Sequence, residues 1–97
     1  MASGDVAREL ADLPRWLLAA DGRSIVRELH FASFSAAFGF MTAVAIDAEA
    51  MDHHPDWSNS YKTVSVALST HVAGGLTQRD FALARQIDAH AVAALPD

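Results

Sequence analysis

Two spacings of apolar residues run along this chain, one near 3.6 and one near 2, and an element ends where one replaces the other. From Ser3 to Leu13, the positions Val6, Leu10 and Leu13 share one side of a short helix that Pro14 closes. Trp16 to Ala20 is apolar and short, and Asp21-Gly22 after it is a two-residue hairpin signal. Ser24 to Phe31 then reads as the return strand, with Ile25, Leu29 and Phe31 at alternate positions. Arg27 interrupts that apolar face, which places the strand near an edge or an interface.

Ser33 is the expected N-cap of the longest helix, Phe34 to Met51. Phe34, Phe38, Met41, Ala45 and Ala48 form a continuous stripe along it, widened on one flank by Phe40, Val44 and Met51. Glu49 lies at the opposite edge of the stripe, one turn before His53, and Pro55 disfavours helical geometry at His54. Trp57 to Tyr61 and Thr63 to Thr70 make a second pair of strands. In the latter, Val64, Val66 and Leu68 face one way, while Ser65, Ala67, Ser69 and His71 share the other parity. Gly74-Gly75 ends the pattern, and Thr77-Gln78-Arg79-Asp80 has capping-box spacing for a last helix, Gln78 to about Ala94, with Leu83, Ile87 and Ala91 inward. Helix, two strands, helix, two strands, helix predicts an α+β fold: a four-stranded antiparallel sheet with three helices packed on one face.

Composition narrows the function. Ninety-seven residues are expected to form one domain, 1–97. The apolar share is 52%, but much of it is alanine, which buries little area, so oligomerisation is one way for so small a domain to bury more. The absence of cysteine removes disulfides, thiolate zinc sites and cysteine nucleophiles. Met-Ala-Ser-Gly-Asp-Val has neither a basic nor an apolar signal region, and no apolar run approaches the roughly 20 residues that cross a bilayer. The expectation is a cytoplasmic protein without membrane contact. Seven basic residues against twelve acidic ones give a net charge of −5, and the basic ones are scattered. That argues against direct nucleic-acid binding, which needs concentrated positive charge, and favours a neutral or cationic ligand or a protein partner.

The chemistry gathers in Glu49-Ala50-Met51-Asp52-His53-His54-Pro55-Asp56-Trp57 and in Thr70-His71. Histidine, with an ordinary pKa near ~6.5, both gives and takes protons at neutral pH, and it also ligates metals. Zinc is the first alternative, but adjacent ligating histidines diverge, and there is no His-x-His, His-x-x-x-His or zincin helix. A Ser-His-Asp triad is weaker still, because Ser58, Ser60, Ser65 and Ser69 lie on no Gly-x-Ser-x-Gly elbow. Glu49 and Asp52 stand near a helix C-terminus, where carboxylates are mildly unfavourable; beside a histidine they would fix its tautomer. Trp57 and Phe40 read as core, with the Trp57 indole also able to wall a slot for a flat ring. Asp80 reads as a helix cap, and His30 and His90 as incidental.

These residues closely resemble the pterin-4a-carbinolamine dehydratases. The shared runs are Phe31-Ala32-Ser33-Phe34, Ala37-Phe38-Gly39-Phe40-Met41, the Glu49–Trp57 block, Leu68-Ser69-Thr70-His71 and Gly75-Leu76-Thr77-Gln78-Arg79-Asp80. They span most of the chain from about Trp16, and Asp-His-His-Pro with a histidine after Ser-Thr is their most specific part. Ser33 stands where an aspartate is common, and either caps a helix. The resemblance implies the fold above, a homodimer or homotetramer, and loss of water from 4a-hydroxytetrahydropterin to give quinonoid dihydropterin for aromatic amino-acid hydroxylases. It also implies that His53, His54 and His71 are the active-site histidines and that Glu49, Asp52 and Trp57 line the pterin pocket, with Ser69 and Thr70 as further substrate-binding positions. No metal or other cofactor is implied. The rival from another class is an interaction or assembly module of the same fold, since animal members also bind a homeodomain transcription factor.

Overall fold

The computed structural model describes residues 1–95. Its elements are helix α1 (Ser3–Ala11), strands β1 (Leu17–Leu18) and β2 (Ile25–His30), helix α2 (Phe34–Met51), strands β3 (Asp56–Ser60) and β4 (Thr63–Leu68), a 3₁₀ turn at His71–Ala73 and helix α3 (Gln78–Ala94). The strands form one antiparallel sheet in the order β1-β2-β4-β3, with the three helices on one face, as the alternation predicts. β2 and β4 pair along their full length, from Ile25 opposite Leu68 to His30 opposite Thr63. β3 pairs with the other side of β4, from Asp56 opposite Ala67 to Ser60 opposite Thr63. Alternate side chains therefore share a face. Ile25, Leu29, Val64, Val66 and Leu68 are buried against Phe81, Leu83, Ala84, Ile87 and Ala91 of α3 in one continuous core. Each large side chain buried there contributes on the order of 1.5–3 kcal/mol of transfer free energy.

Several expectations need correction. The Asp21-Gly22 hairpin is not a two-residue turn, because Leu18 pairs with Ile25 and the connecting loop runs from Ala19 to Ser24. Gly22, at φ 71°, supplies its left-handed position, and Asp21 Oδ1 accepts from the Arg23 amide at 2.9 Å. The dipeptide marks a turn correctly, but the loop closes through its own hydrogen bonds rather than through the strands. β4 also ends at Leu68, two residues short of the expectation, and Thr70 instead bridges to Gly75.

The largest correction concerns α2. Its buried face is Ala37, Phe40, Val44 and Ala48, whereas Phe34, Phe38 and Ala45 of the predicted stripe are exposed. The helix is apolar nearly all round, so spacing alone does not select which side meets the sheet. Over its 18 residues the mean hydropathy is 1.3, within the range of a membrane span by length and composition, which the sequence reading missed. Here its inner face packs in the core. Arg27 also proves to be covered: its side chain, only 9% exposed, pairs with Asp88 of α3 at 2.5 Å, and Trp16 Nε1 donates to the same carboxylate oxygen at 2.8 Å. A buried guanidinium needs such a partner.

Polar bonds tie the helices to one another. Arg85 on α3 donates to Glu9 on α1 at 2.6 Å, and this bond holds the Glu9 carboxyl below its ordinary range. His90 meets Asp47 of α2 at 2.6 Å, so it joins α3 to α2 rather than being incidental. His30 contacts Thr63 at 3.2 Å on the exposed side of the sheet.

Candidate active site

The way α2 stops decides where the histidines point. Asp52 is its C-cap in the left-handed region (φ 50°, ψ 43°), with its amide donating to the carbonyls of Ala48 and Glu49. The His53 amide donates to Ala48 O at 3.0 Å. The Arg79 guanidinium donates to the carbonyls of Met51, at 3.1 Å, and Asp52. A cation on the last carbonyls satisfies orphan acceptors and complements the helix dipole. The chain leaves the helix in a fixed direction, with His53 buried and His54 exposed.

Beneath the surface, His53 Nε2 lies 2.6 Å from Asp80 Oδ1. Asp80 is fully buried, and its other oxygen accepts from the Thr70 hydroxyl and from the Thr77 amide, each at 2.9 Å. Since the Thr70 proton goes to Asp80, the 2.8 Å contact between the two threonine hydroxyls has Thr77 as donor. Thr77 Oγ1 in turn accepts from the Arg79 amide at 3.3 Å. Asp80 thus completes the capping box of α3 and orients His53 at once. A carboxylate acting as acceptor for three donors places the His53 proton on Nε2. No buried side-chain nitrogen or oxygen lacks a partner among the described residues. His53 Nδ1, which makes no hydrogen bond among the described residues, therefore keeps some access to solvent.

The other two histidines each meet a carboxylate at the surface. His54 Nε2 is 2.7 Å from Glu49 Oε1. Both border a groove of about 660 Å³ whose walls include Ile46, Pro55 and the half-buried Trp57. His71 stands on the 3₁₀ turn, closed by the Thr70–Gly75 bridge, with Nε2 3.5 Å from Asp56 Oδ2. Exposed pairs of this kind contribute about 0–1 kcal/mol each to stability, so their consequence is orientation rather than folding.

The expected site residues therefore fall into groups. Glu49, His54 and Trp57 come together in the groove. His53 and Thr70 meet through Asp80, with the Thr70 hydroxyl already committed there. Ser69 and His71 border a separate small cavity of about 220 Å³. The Asp52 carboxylate makes no hydrogen bond among the described residues; its main chain caps α2 instead. No three His, Asp or Glu side chains among the described residues converge as metal ligands. Sequence reasoning read Asp80 chiefly as a cap, with contact to the site as the lesser alternative, and gave Asp56 no role. The signal for Asp80 was present in the capping box, since an acid at N3 faces back across the helix start, toward whatever packs there.

A helix-flanked antiparallel sheet carrying three histidine–carboxylate pairs around the end of α2 defines the class of protein. Comparison with known proteins defines the family. Residues 1–90 match the family model described as pterin 4 alpha carbinolamine dehydratase. A provisionally named pterin-4-alpha-carbinolamine dehydratase of Rhodospirillum rubrum is 54% identical over 81 residues, covering 84% of each chain. Its counterpart in Burkholderia orbicola is 51% identical over 96 residues, covering 99% of this chain and 94% of the relative. A crystal structure of a transcriptional coactivator/pterin dehydratase from Brucella melitensis superposes with a TM-score of 0.89 at 41% identity, over 94% of this chain and 97% of that one. A pterin dehydratase-like RuBisCO assembly factor of the alpha-carboxysome, 21% identical with a TM-score of 0.68 over 78% and 88% of the two chains, shares the fold. The chain belongs to the pterin-4a-carbinolamine dehydratase family.

The geometry makes Asp80 the structural keystone of the site. Asp80→Ala leaves two buried donors, on His53 and Thr70, and the part-buried Thr77 amide without this acceptor, each costing about 1–3 kcal/mol when fully buried. The expected loss of unfolding free energy is about 3 kcal/mol or more, read from urea denaturation at constant m-value. A loss below about 1 kcal/mol would show that the carboxylate holds nothing together.

Proposed function

We propose that the protein dehydrates 4a-hydroxytetrahydropterin by histidine acid–base catalysis. The observation that carries this reading is the buried Asp80–His53 pair, whose Nδ1 makes no hydrogen bond among the described residues, in a chain of this family. In the reaction a general acid protonates the 4a-hydroxyl, the C4a–O bond breaks and water departs. The N5 lone pair forms the C4a=N5 bond, and the N5 proton passes to a base. The balance is one water lost, with no change of oxidation state. Asp80 leaves His53 with a lone pair on Nδ1, which suits the base. His71, beside Asp56, is then the acid. His54, braced by Glu49 against the groove, orients the ring, and Trp57 offers an apolar wall for it. Each proton transfer of this kind supplies ~10²–10⁴-fold in rate.

In this reading the protein works in the cytoplasm and returns tetrahydrobiopterin to an aromatic amino-acid hydroxylase. It acts as a homodimer or homotetramer associating through the outer face of α2. There, Phe34 and Phe38 are 48% and 57% exposed, and Ile46 is 66% exposed. The two phenyl rings lie 5.8 Å apart. Water-exposed aromatics in such a cluster mark a contact surface. An interaction or assembly module of the same fold would use that face and leave the histidines idle.

The test is the decay of freshly generated 4a-hydroxytetrahydropterin, followed by ultraviolet absorbance with chelator-treated protein. Acceleration should survive chelation and fall at least about tenfold in folded His53→Ala and His71→Ala variants. No acceleration by folded wild type, or wild-type rates in either variant, would defeat the assignment. Activity lost only on chelation would transfer it to a metal. For the assembly, Phe38→Glu should reduce the sedimenting mass to that of one chain, and an unchanged mass would place the interface elsewhere.

A further inference from the structure

The face of the sheet turned away from the helices carries a row of side chains that the core does not use. The pairing sets Leu17 beside Val26, Val26 beside Ala67 and Ala67 beside Asp56, so all four point to that side. The solvent-facing side of an antiparallel sheet is ordinarily polar. Here three apolar side chains stand in register across three strands, with Leu17 69% exposed, and a carboxylate ends the row. At ~4.8 Å between strands the row is about 14 Å long. Its members line a cavity of about 480 Å³, a size that suits a small organic molecule. No histidine borders this cavity, and it shares only Trp57 with the groove beside α2.

Charge along the row is uneven, and it selects the ligand. On the β1–β2 side, Arg15 and Glu28 both border the cavity and offset one another, and Glu28 also meets His30 Nε2 at 3.0 Å. At the β3 end, Asp56 pairs only with His71 among the described residues, with Nε2 3.5 Å from Oδ2. That is longer than the ~2.7–2.9 Å of a charge-assisted bond, so the exposed carboxylate keeps capacity for a second donor. The hydroxyls of Ser58 and Ser65 border the same space and accept as well. An anion would meet Asp56 with no cation beside it. A wholly apolar ligand would cover the carboxylate without pairing it. A primary ammonium on an apolar body matches both ends of the row: three donors for Asp56 and the hydroxyls, and hydrocarbon for Leu17, Val26 and Ala67.

We propose that this face binds a small primary amine with an aryl or alkyl body, its ammonium at Asp56. Asp56 is also the carboxylate that orients His71, so a bound ammonium draws it away from that ring. The cavity then acts as an inhibitory site, apart from the place where the pterin reacts. The binding stands by itself, and its effect on turnover rests on the dehydratase reading.

The experiment is an NMR titration of the whole chain with phenethylamine, and with hydrocinnamate as an anion of similar shape. The amine should half-saturate at ~0.1–1 mM. It should move the amides of Val26, Ala67 and Asp56 and the ring ¹⁵N of His71, and hydrocinnamate should move none of them. Val26→Lys puts a competing cation in the floor and should weaken the amine at least about tenfold, and Ala67→Lys does the same if that variant fails to fold. With a carbinolamine substrate, saturating amine should lower wild-type kcat by about half or more, while the lysine variant keeps its rate within about twofold with or without amine. No shifts along the row, equal shifts with the anion, or undiminished binding in a folded lysine variant would overturn the proposal. Binding with undiminished turnover would overturn its inhibitory half. Absence of wild-type turnover without amine, with the shifts present, would instead defeat the dehydratase reading and leave the binding standing, so the two failures are distinguishable.

Discussion

At Asp80, a carboxylate fully removed from water sits where the end of α2, the exit of β4 and the start of α3 meet. A buried charge is costly unless every lone pair is used. Here His53, Thr70 and Thr77 supply the donors, and each of those segments is held by the need to satisfy it. Arg79, one residue away, clamps the last carbonyls of α2 and so fixes the same junction from outside. The start of one helix is thereby locked to the end of another, and the histidine between them is given its tautomer by the bond that caps α3.

This arrangement separates two kinds of histidine. His53 is set by the fold: its ring cannot turn without breaking a buried network, so its orientation is fixed before any ligand arrives. His54 and His71 are set by single exposed carboxylates, Glu49 and Asp56, which orient them weakly and leave them free to adjust to a ligand. The fold thus holds one histidine rigidly and leaves the other two adjustable.

Much of this was legible in the chain. Alternation at Val64, Val66 and Leu68 and the Leu83–Ile87–Ala91 spacing gave the sheet and the last helix, because each element there has one apolar side. The orientation of α2 was not legible, because Phe34 and Phe38 compete with Phe40 and Val44 on a helix apolar nearly all round. The capping role of Asp80 could be read from Thr77-Gln78-Arg79-Asp80, a local signal. Its bond to His53 could not, since it depends on how α3 packs against α2 across 27 positions of sequence. Asp56 was overlooked for the same reason: its meeting with His71 follows from the turn after β4, which the strand pattern extended too far. The resemblance to the family named the histidines but said nothing of how each one is held.

The most direct test of this account is the ring ¹⁵N spectrum of His53 near pH 8, recorded with and without a saturating pterin. The account predicts a proton on Nε2 and a lone pair on Nδ1, with the Nδ1 resonance moving when pterin binds. A proton on Nδ1, or an Nδ1 resonance indifferent to bound pterin, would contradict it.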